Sequence, residues 1–164
     1  MRNRRRGPWA AGRGALLIAA LLAACARAPL PGRLCGMARS KLWRGEHASM
    51  LVADLHGKNV APTSSTVAEY GRAGQLRVYL SRFADAAKAQ RSLDLMLARL
   101  GSGETPFSEP RELREHPGHW FTVGPGGHHA VWVSGESLYW VTAGPGQIEQ
   151  ALSELPAPST GRWI

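Results

Sequence analysis

Three apolar segments follow one another closely near the end of the chain, at residues 119–123, 128–134 and 137–143. The connections between them leave little choice of fold. Gly124-Pro125-Gly126-Gly127 has the Pro-then-Gly order of a type II turn. Gly135-Glu136 fits a two-residue hairpin loop with glycine first. Links this short join antiparallel neighbours, because a parallel pair needs a crossover of a dozen residues or more. Residues 119–143 are therefore expected to form a three-stranded meander that buries at least one face.

Upstream, Leu76, Val78 and Leu80 alternate with Arg77, Tyr79 and Ser81, the period of a half-buried strand over residues 75–83. Asp85 then stands as the N-cap of a helix over residues 86–100, with Ala89, Leu93, Met96, Leu97 and Leu100 on one face. Gly101 and Gly103 end it. Residues 101–118, with Pro106, Pro110 and Pro117 among charged residues, read as a mobile loop. After the meander, Pro145 suits the first turn of a second helix. Ile148, Ala151, Leu152 and Leu155 supply its apolar stripe, and Pro156 stops it. Residues 46–75 are less definite. The run at 50–55 and residues 66–70 are candidate strands on either side of a loop at 61–65. Segregated strands and helices predict an α+β fold: an antiparallel sheet with two helices packed on one face, a β-α-β-β-β-α core with one or two extra N-terminal strands. With 44% apolar and 20% charged residues, the chain can build one packed domain. We place it at residues 46–158, with an irregular tail at 159–164.

The turns also assign faces to the meander. Phe121 is expected opposite Ala130, Trp120 opposite Val131, Val131 opposite Trp140 and Trp132 opposite Tyr139. One face then carries Phe121, Val123, Ala130, Trp132, Tyr139 and Val141, and the other Trp120, Val131, Val133, Leu138 and Trp140. Both are apolar, whereas a sheet covered by helices on one side needs only one apolar face. The row Trp120–Val131–Trp140 is the candidate binding surface, for an envelope protein, a lipid or a flat ligand. The alternative is that other parts of the chain, or a second copy, cover it.

The net charge of +8 suggests a nucleic-acid partner until it is located. Residues 1–45 carry ten basic groups and no acid. Residues 46–164 carry ten basic and all twelve acidic groups, a net of −2. A body without surplus cations has no basic stripe to lay along phosphates, so no nucleic-acid partner is expected.

The positive charge belongs to a leader and a tether. Arg4, Arg5 and Arg6 precede an uncharged run at residues 14–24. As a helix that run spans ~16 Å, too short for the ~30 Å hydrocarbon core of a bilayer but the length of a secretory signal's apolar region. It ends Leu22-Ala23-Ala24-Cys25. This resembles the lipobox of bacterial lipoproteins. The resemblance, which covers residues 1–25, implies that residues 1–24 are a signal peptide and that Cys25 is the lipidation site, acylated through sulfur and, after cleavage, through its new amine. Two or more acyl chains suffice for stable anchoring. The resemblance further implies a periplasm-facing protein of the cell envelope, and Ala26 after the cysteine implies sorting to the outer membrane in a Gram-negative cell. Translation from Met37 would remove this leader. Residues 25–45, rich in Pro, Gly and cations, read as a tether whose charges lie against anionic headgroups or in water. Cys35 then has no partner in the chain and is a free thiol or an intermolecular bridge. The body resembles small α+β envelope lipoprotein domains of unknown function, in which a strand runs into a Phe-Ala-Asp helix start, here Phe83-Ala84-Asp85, before a meander and a short helix. That likeness implies no catalytic residue.

Chemistry-bearing motifs are few. His116, His119, His128 and His129 suggest a metal site, but the expected register separates His119 from His128 by ~13 Å along the strand and turns His129 to the other face. His116 and His119 can approach across Pro117-Gly118, and two ligands alone make a weak site. There is no Gly-x-Ser-x-Gly elbow, and neither Gly-rich turn has the Lys and length of a phosphate loop. The expected function is a lipid-anchored binding, accessory or sensor domain without cofactor. The alternatives are a small metal-dependent or hydrolytic enzyme using His116, His119 or His129, and a purely structural lipoprotein.

Overall fold

The computed structural model describes residues 30–56 and 61–159. The leader, Cys25 and residues 160–164 lie outside them. One compact unit, Gly32–Ile164, is an α+β structure. Its strands are β1 (Arg33–Leu34), β2 (Met37–Arg44), β3 (Ser64–Tyr70), β4 (Leu76–Arg82), β5 (Arg111–Leu113), β6 (His116–Gly124), β7 (Gly127–Ser134) and β8 (Ser137–Ala143). Its helices are α1 (Gly45–His56), α2 (Ala86–Gly101) and α3 (Gln147–Glu154). The strands form one antiparallel sheet in the order β1-β2-β3-β4-β8-β7-β6-β5. Two meanders, β1–β4 and β5–β8, are thus joined through their last strands. Helix α2 carries the chain from β4 in the middle of the sheet toward β5 at the far edge.

The expected register of the second meander is the observed one: Trp120 pairs with Val131, Phe121 with Ala130, Val131 with Trp140 and Trp132 with Tyr139. The helix start is as expected too. The Asp85 carboxylate accepts a hydrogen bond from the Lys88 amide at 2.7 Å, satisfying one of the orphan donors of the first turn.

Four expectations are corrected. First, residues 33–44 are not a tether. Cys35 and Gly36, at φ 51° and 71°, form a two-residue turn with both centres left-handed, the hairpin turn whose twist matches its strands. It folds β1 onto β2, and β2 pairs with β3. Second, the run at 50–55 is helical, not a strand. Ala48 and Val52, four apart, bury one face of α1, while Glu46, His47 and Met50 are exposed. Third, the segment 101–118 is not a free loop. It contains β5, and Ser108 is tied along the outer edge of β6: its amide donates to the Val123 carbonyl, its hydroxyl accepts from the Val123 amide, and its carbonyl accepts from the Thr122 hydroxyl. Fourth, the two expected helices do not share a face. The core on one side of the sheet joins Ala48 and Val52 of α1 and Ala89, Leu93, Met96 and Leu100 of α2 to Val67, Tyr79, Val131, Val133, Leu138 and Trp140. Helix α3 packs on β7 and β8 from the other side. Its Ile148 lines one cavity with Phe121 and His128, and the Trp132 indole donates to the Pro156 carbonyl just beyond it at 2.8 Å. Two apolar faces on the meander therefore mean two helical covers rather than one cover and one free surface.

Candidate functional site

The Trp120–Val131–Trp140 row is core, not surface. Val131 and Trp140 are each 1% exposed, and Trp120 is half-buried against the same cluster. Besides α2, the cover is Phe107, a residue of the supposed loop. Its ring meets His129 edge-on at 5.1 Å and Trp140 at 5.6 Å. The Ser108 bonds hold it there, and Gly124 makes room for it: a Cβ at that position would overlap the Phe107 ring.

The histidines divide between the two faces as the register requires. His129, 2% exposed, lies with Trp140. An indole N–H can only donate, so the 3.0 Å bond from Trp140 Nε1 makes His129 Nδ1 an acceptor and places the ring proton on Nε2. The hydroxyl of Thr142 is also 3.0 Å from Nδ1. Burial lowers the pKa of His129, outweighing the opposite pull of the Gly124 and Pro125 backbone. His119, 4% exposed, lies on the other face over Trp132, with ring centroids 4.9 Å apart. Its Nδ1 is 3.2 Å from the His116 carbonyl. A carbonyl only accepts, so this ring carries its proton on Nδ1, the opposite tautomer. Burial lowers its pKa as well. The His116 and His119 rings do approach, at 5.8 Å between centroids. Among the described residues, however, no three His, Cys, Asp or Glu side chains gather where they could hold a metal ion.

Cys35 is a free, half-buried thiol. Its amide donates to the Glu154 carboxylate at 2.9 Å, and its Sγ lies 3.6 Å from the Gln147 carbonyl. Desolvation, aided by the Glu154 charge, raises its pKa to about 11.

A concavity opens on the face that α3 occupies. Helix α3 is eight residues long and packs on β7 and β8. A helix is about 10 Å across and strands are about 4.8 Å apart, so one helix covers two strands, and β5 and β6 lie beyond its reach. The resulting cleft has a volume of about 440 Å³, within the range of small-molecule sites. Phe121, Leu113 and Ile148 supply its apolar surface, and Arg111, Arg114, His116 and His128 its cationic and imidazole groups. The pairing Arg111–Phe121 sets the guanidinium 5.3 Å from the centre of the phenyl ring, and His128 meets that ring edge-on at 5.3 Å. Glu115 and Glu149 stand at the same cleft. Of these residues, sequence reasoning considered only His116 and His128 for chemistry, as metal ligands, and placed Phe121 and Ile148 on apolar faces. The missed signal is Arg111-Glu112-Leu113 followed by a two-residue turn and His116, a short hairpin disguised by flanking prolines. Comparison with known proteins gives no match: no family model fits the chain, and no curated protein or solved structure is significantly similar to it.

Proposed function

We propose that this protein is a lipid-anchored domain of the bacterial cell envelope that acts by binding, as an accessory or sensor module, and not by catalysis. The observation that carries the reading is the spacing between a sequence signal and a fold boundary. Leu22-Ala23-Ala24-Cys25 ends an uncharged run of signal-peptide length, and the compact unit that carries the sheet begins at Gly32, seven positions after that cysteine. Acylation at Cys25 would leave the domain complete and hold it close to the bilayer. Ala26 favours the outer membrane on the sorting pattern of such proteins. With the tryptophan row buried, the cleft at β5, β6 and α3 is the place for a ligand. Detergent-phase partitioning with mass spectrometry tests the anchor. The full chain is expected in the detergent phase with acyl chains on Cys25, and Cys25→Ser in the aqueous phase. An unmodified Cys25 in protein retaining its first methionine would overturn the reading.

A further inference from the structure

We propose that the cleft between the β5–β6 hairpin and the start of α3 binds a single oxyanion group, phosphate or carboxylate, carried on a short apolar body. The inference deepens the binding reading above, and it does not depend on the anchor.

The cleft offers the two halves of such a ligand separate surfaces. Phe121, Leu113 and Ile148 are apolar and converge with Arg111 and Arg114 on one cavity. Neither guanidinium lies within 4 Å of a carboxylate among the described residues. Both are solvent-exposed, so their charge is available. Arg111 is also steadied by the Phe121 ring beneath it, which reduces the freedom lost when it grips a ligand. A planar guanidinium matches the two oxygens of a carboxylate or phosphate. The imidazoles of His116 and His128 add hydrogen-bonding nitrogens at the same cavity. Gly146 and Ile148 at the start of α3 border the same cavity, so the positive end of a short helix dipole faces that side, offset by Glu149 in its first turn.

The two carboxylates decide what the cleft excludes. Glu115 and Glu149 are exposed and border it. A polyanion would have to approach both, whereas one oxyanion can sit beside the guanidiniums with its apolar part over Phe121. This selects against nucleic acid and for a small amphiphile. A free metabolite and a lipid headgroup share this chemistry.

The test uses the full chain in phosphatidylcholine nanodiscs, titrated calorimetrically with butyl phosphate, hexanoate and inorganic phosphate, and separately with nanodiscs that contain phosphatidic acid. Butyl phosphate or hexanoate is expected to bind several-fold more tightly than inorganic phosphate. A hydrogen bond between ionised groups is worth ~1.5–3 kcal/mol, so Arg111→Met and Arg114→Gln should each weaken binding about ten-fold or more. Glu149→Gln should tighten it, and raised salt should weaken it. Arg114 lies in an exposed turn, so its variant reports on the cleft without disturbing the core, and a melting curve checks Arg111→Met. Arginine-sensitive binding only in the nanodiscs containing phosphatidic acid assigns the site to a headgroup, and arginine-sensitive binding of the soluble probes assigns it to a free metabolite. Either supports the proposal. Equal affinity for inorganic phosphate and butyl phosphate, affinity indifferent to both arginine substitutions, or no binding at millimolar concentrations of any probe would overturn it. Those outcomes leave the detergent partitioning of Cys25→Ser untouched, so the two readings fail separately.

Discussion

Trp140→Ala separates a buried row from a binding row more sharply than any other single change. The indole is 1% exposed and packed with α2 residues on one side of the sheet. It also meets Phe107 at 5.6 Å and donates to His129 Nδ1. Truncating a buried tryptophan to alanine costs ~3–5 kcal/mol through lost burial and residual cavity. His129 Nδ1 loses the indole donor but keeps the Thr142 hydroxyl at 3.0 Å, so lost burial and cavity set the size of the loss. For a domain of this size each kcal/mol moves the melting point by about 4 °C, so a fall of about 12–20 °C is expected. Thermal and urea unfolding of the full chain followed by far-ultraviolet circular dichroism measure the two losses without relying on the fluorophore that has been removed. Trp140→Phe keeps most of the ring and removes the N–H, and should lose ~1–3 kcal/mol. A surface tryptophan would behave differently, because exposed substitutions fall within ~0.5 kcal/mol of wild type. A Trp140→Ala protein that unfolds within ~0.5 kcal/mol of the parent would refute the packing described here and reinstate the row as a surface.

Other expectations follow from the same contacts. His119 and His129 both have pKa values lowered by burial, so the unfolded chain binds protons first. Stability should be full above about pH 6.5 and should fall as the pH drops below it, by up to ~1.4 kcal/mol per pH unit for each ring; His129→Gln should flatten that slope in urea titrations between pH 7 and 5, and an unchanged slope in a folded variant would count against a neutral buried His129. Glu69, 5% exposed, is held by Arg77 and by Lys41 at 3.6 Å; because Arg77 is partly exposed, Arg77→Ala should cost ~1–3 kcal/mol rather than the ~3–5 of a fully buried pair, read as a lower urea midpoint. Cys35, with its pKa raised to about 11, should have about a hundred-fold less thiolate at pH 8 than an ordinary cysteine and label correspondingly slowly with a disulfide reagent; reaction at the rate of free cysteine would contradict its placement in the β1–β2 turn. Gly124→Ala should destabilise by displacing Phe107, and Phe107→Ala should rescue part of that loss.

The parts of the fold that depend on local spacing were legible in the sequence. The two hairpin turns carry their register in the glycines, and the Asp85 cap and the 3.6-residue stripe of α2 need no tertiary information. What escaped depends on pairing partners far away in the chain. Residues 37–44, MARSKLWR, contain four polar residues in eight, because β2 lies near the edge of the sheet and only some of its side chains turn inward, so nothing in the run marks it as a strand. Its partner β3 was itself a candidate strand, but it reaches the second meander only through β4, which pairs with β8. Residues 101–118 hide β5 because a three-residue edge strand has too few positions to show a period. The assignment of two helices to one face failed for a further reason: an amphipathic stripe states that a helix is covered, not which side of a sheet covers it.

That last ambiguity bears directly on function. If α2 and α3 shared a face, the other face of the meander would be bare and the tryptophan row would be the natural contact surface. With α2 and α3 on opposite sides, both rows of aromatics are occupied, and a ligand site has to come from incomplete cover rather than from absent cover. Helix α3 reaches β7 and β8, while β6 and β5 extend past it with Phe121 and Arg111 side by side. The cleft is thus a consequence of topology. The strands added at the far edge by the long connection after α2 outnumber those that one short helix can cover, and the residues left at that margin set Arg111, Arg114 and His116 beside Phe121 and Leu113, with Glu115 at the rim, whereas those beneath α2 form a closed apolar core. An edge left open by accident would be expected to carry solvated charge alone. Here the Arg111 guanidinium lies over the Phe121 ring and His128 meets the same ring edge-on, an arrangement that keeps an apolar ring and a cation together at the surface and suits a ligand with both kinds of group.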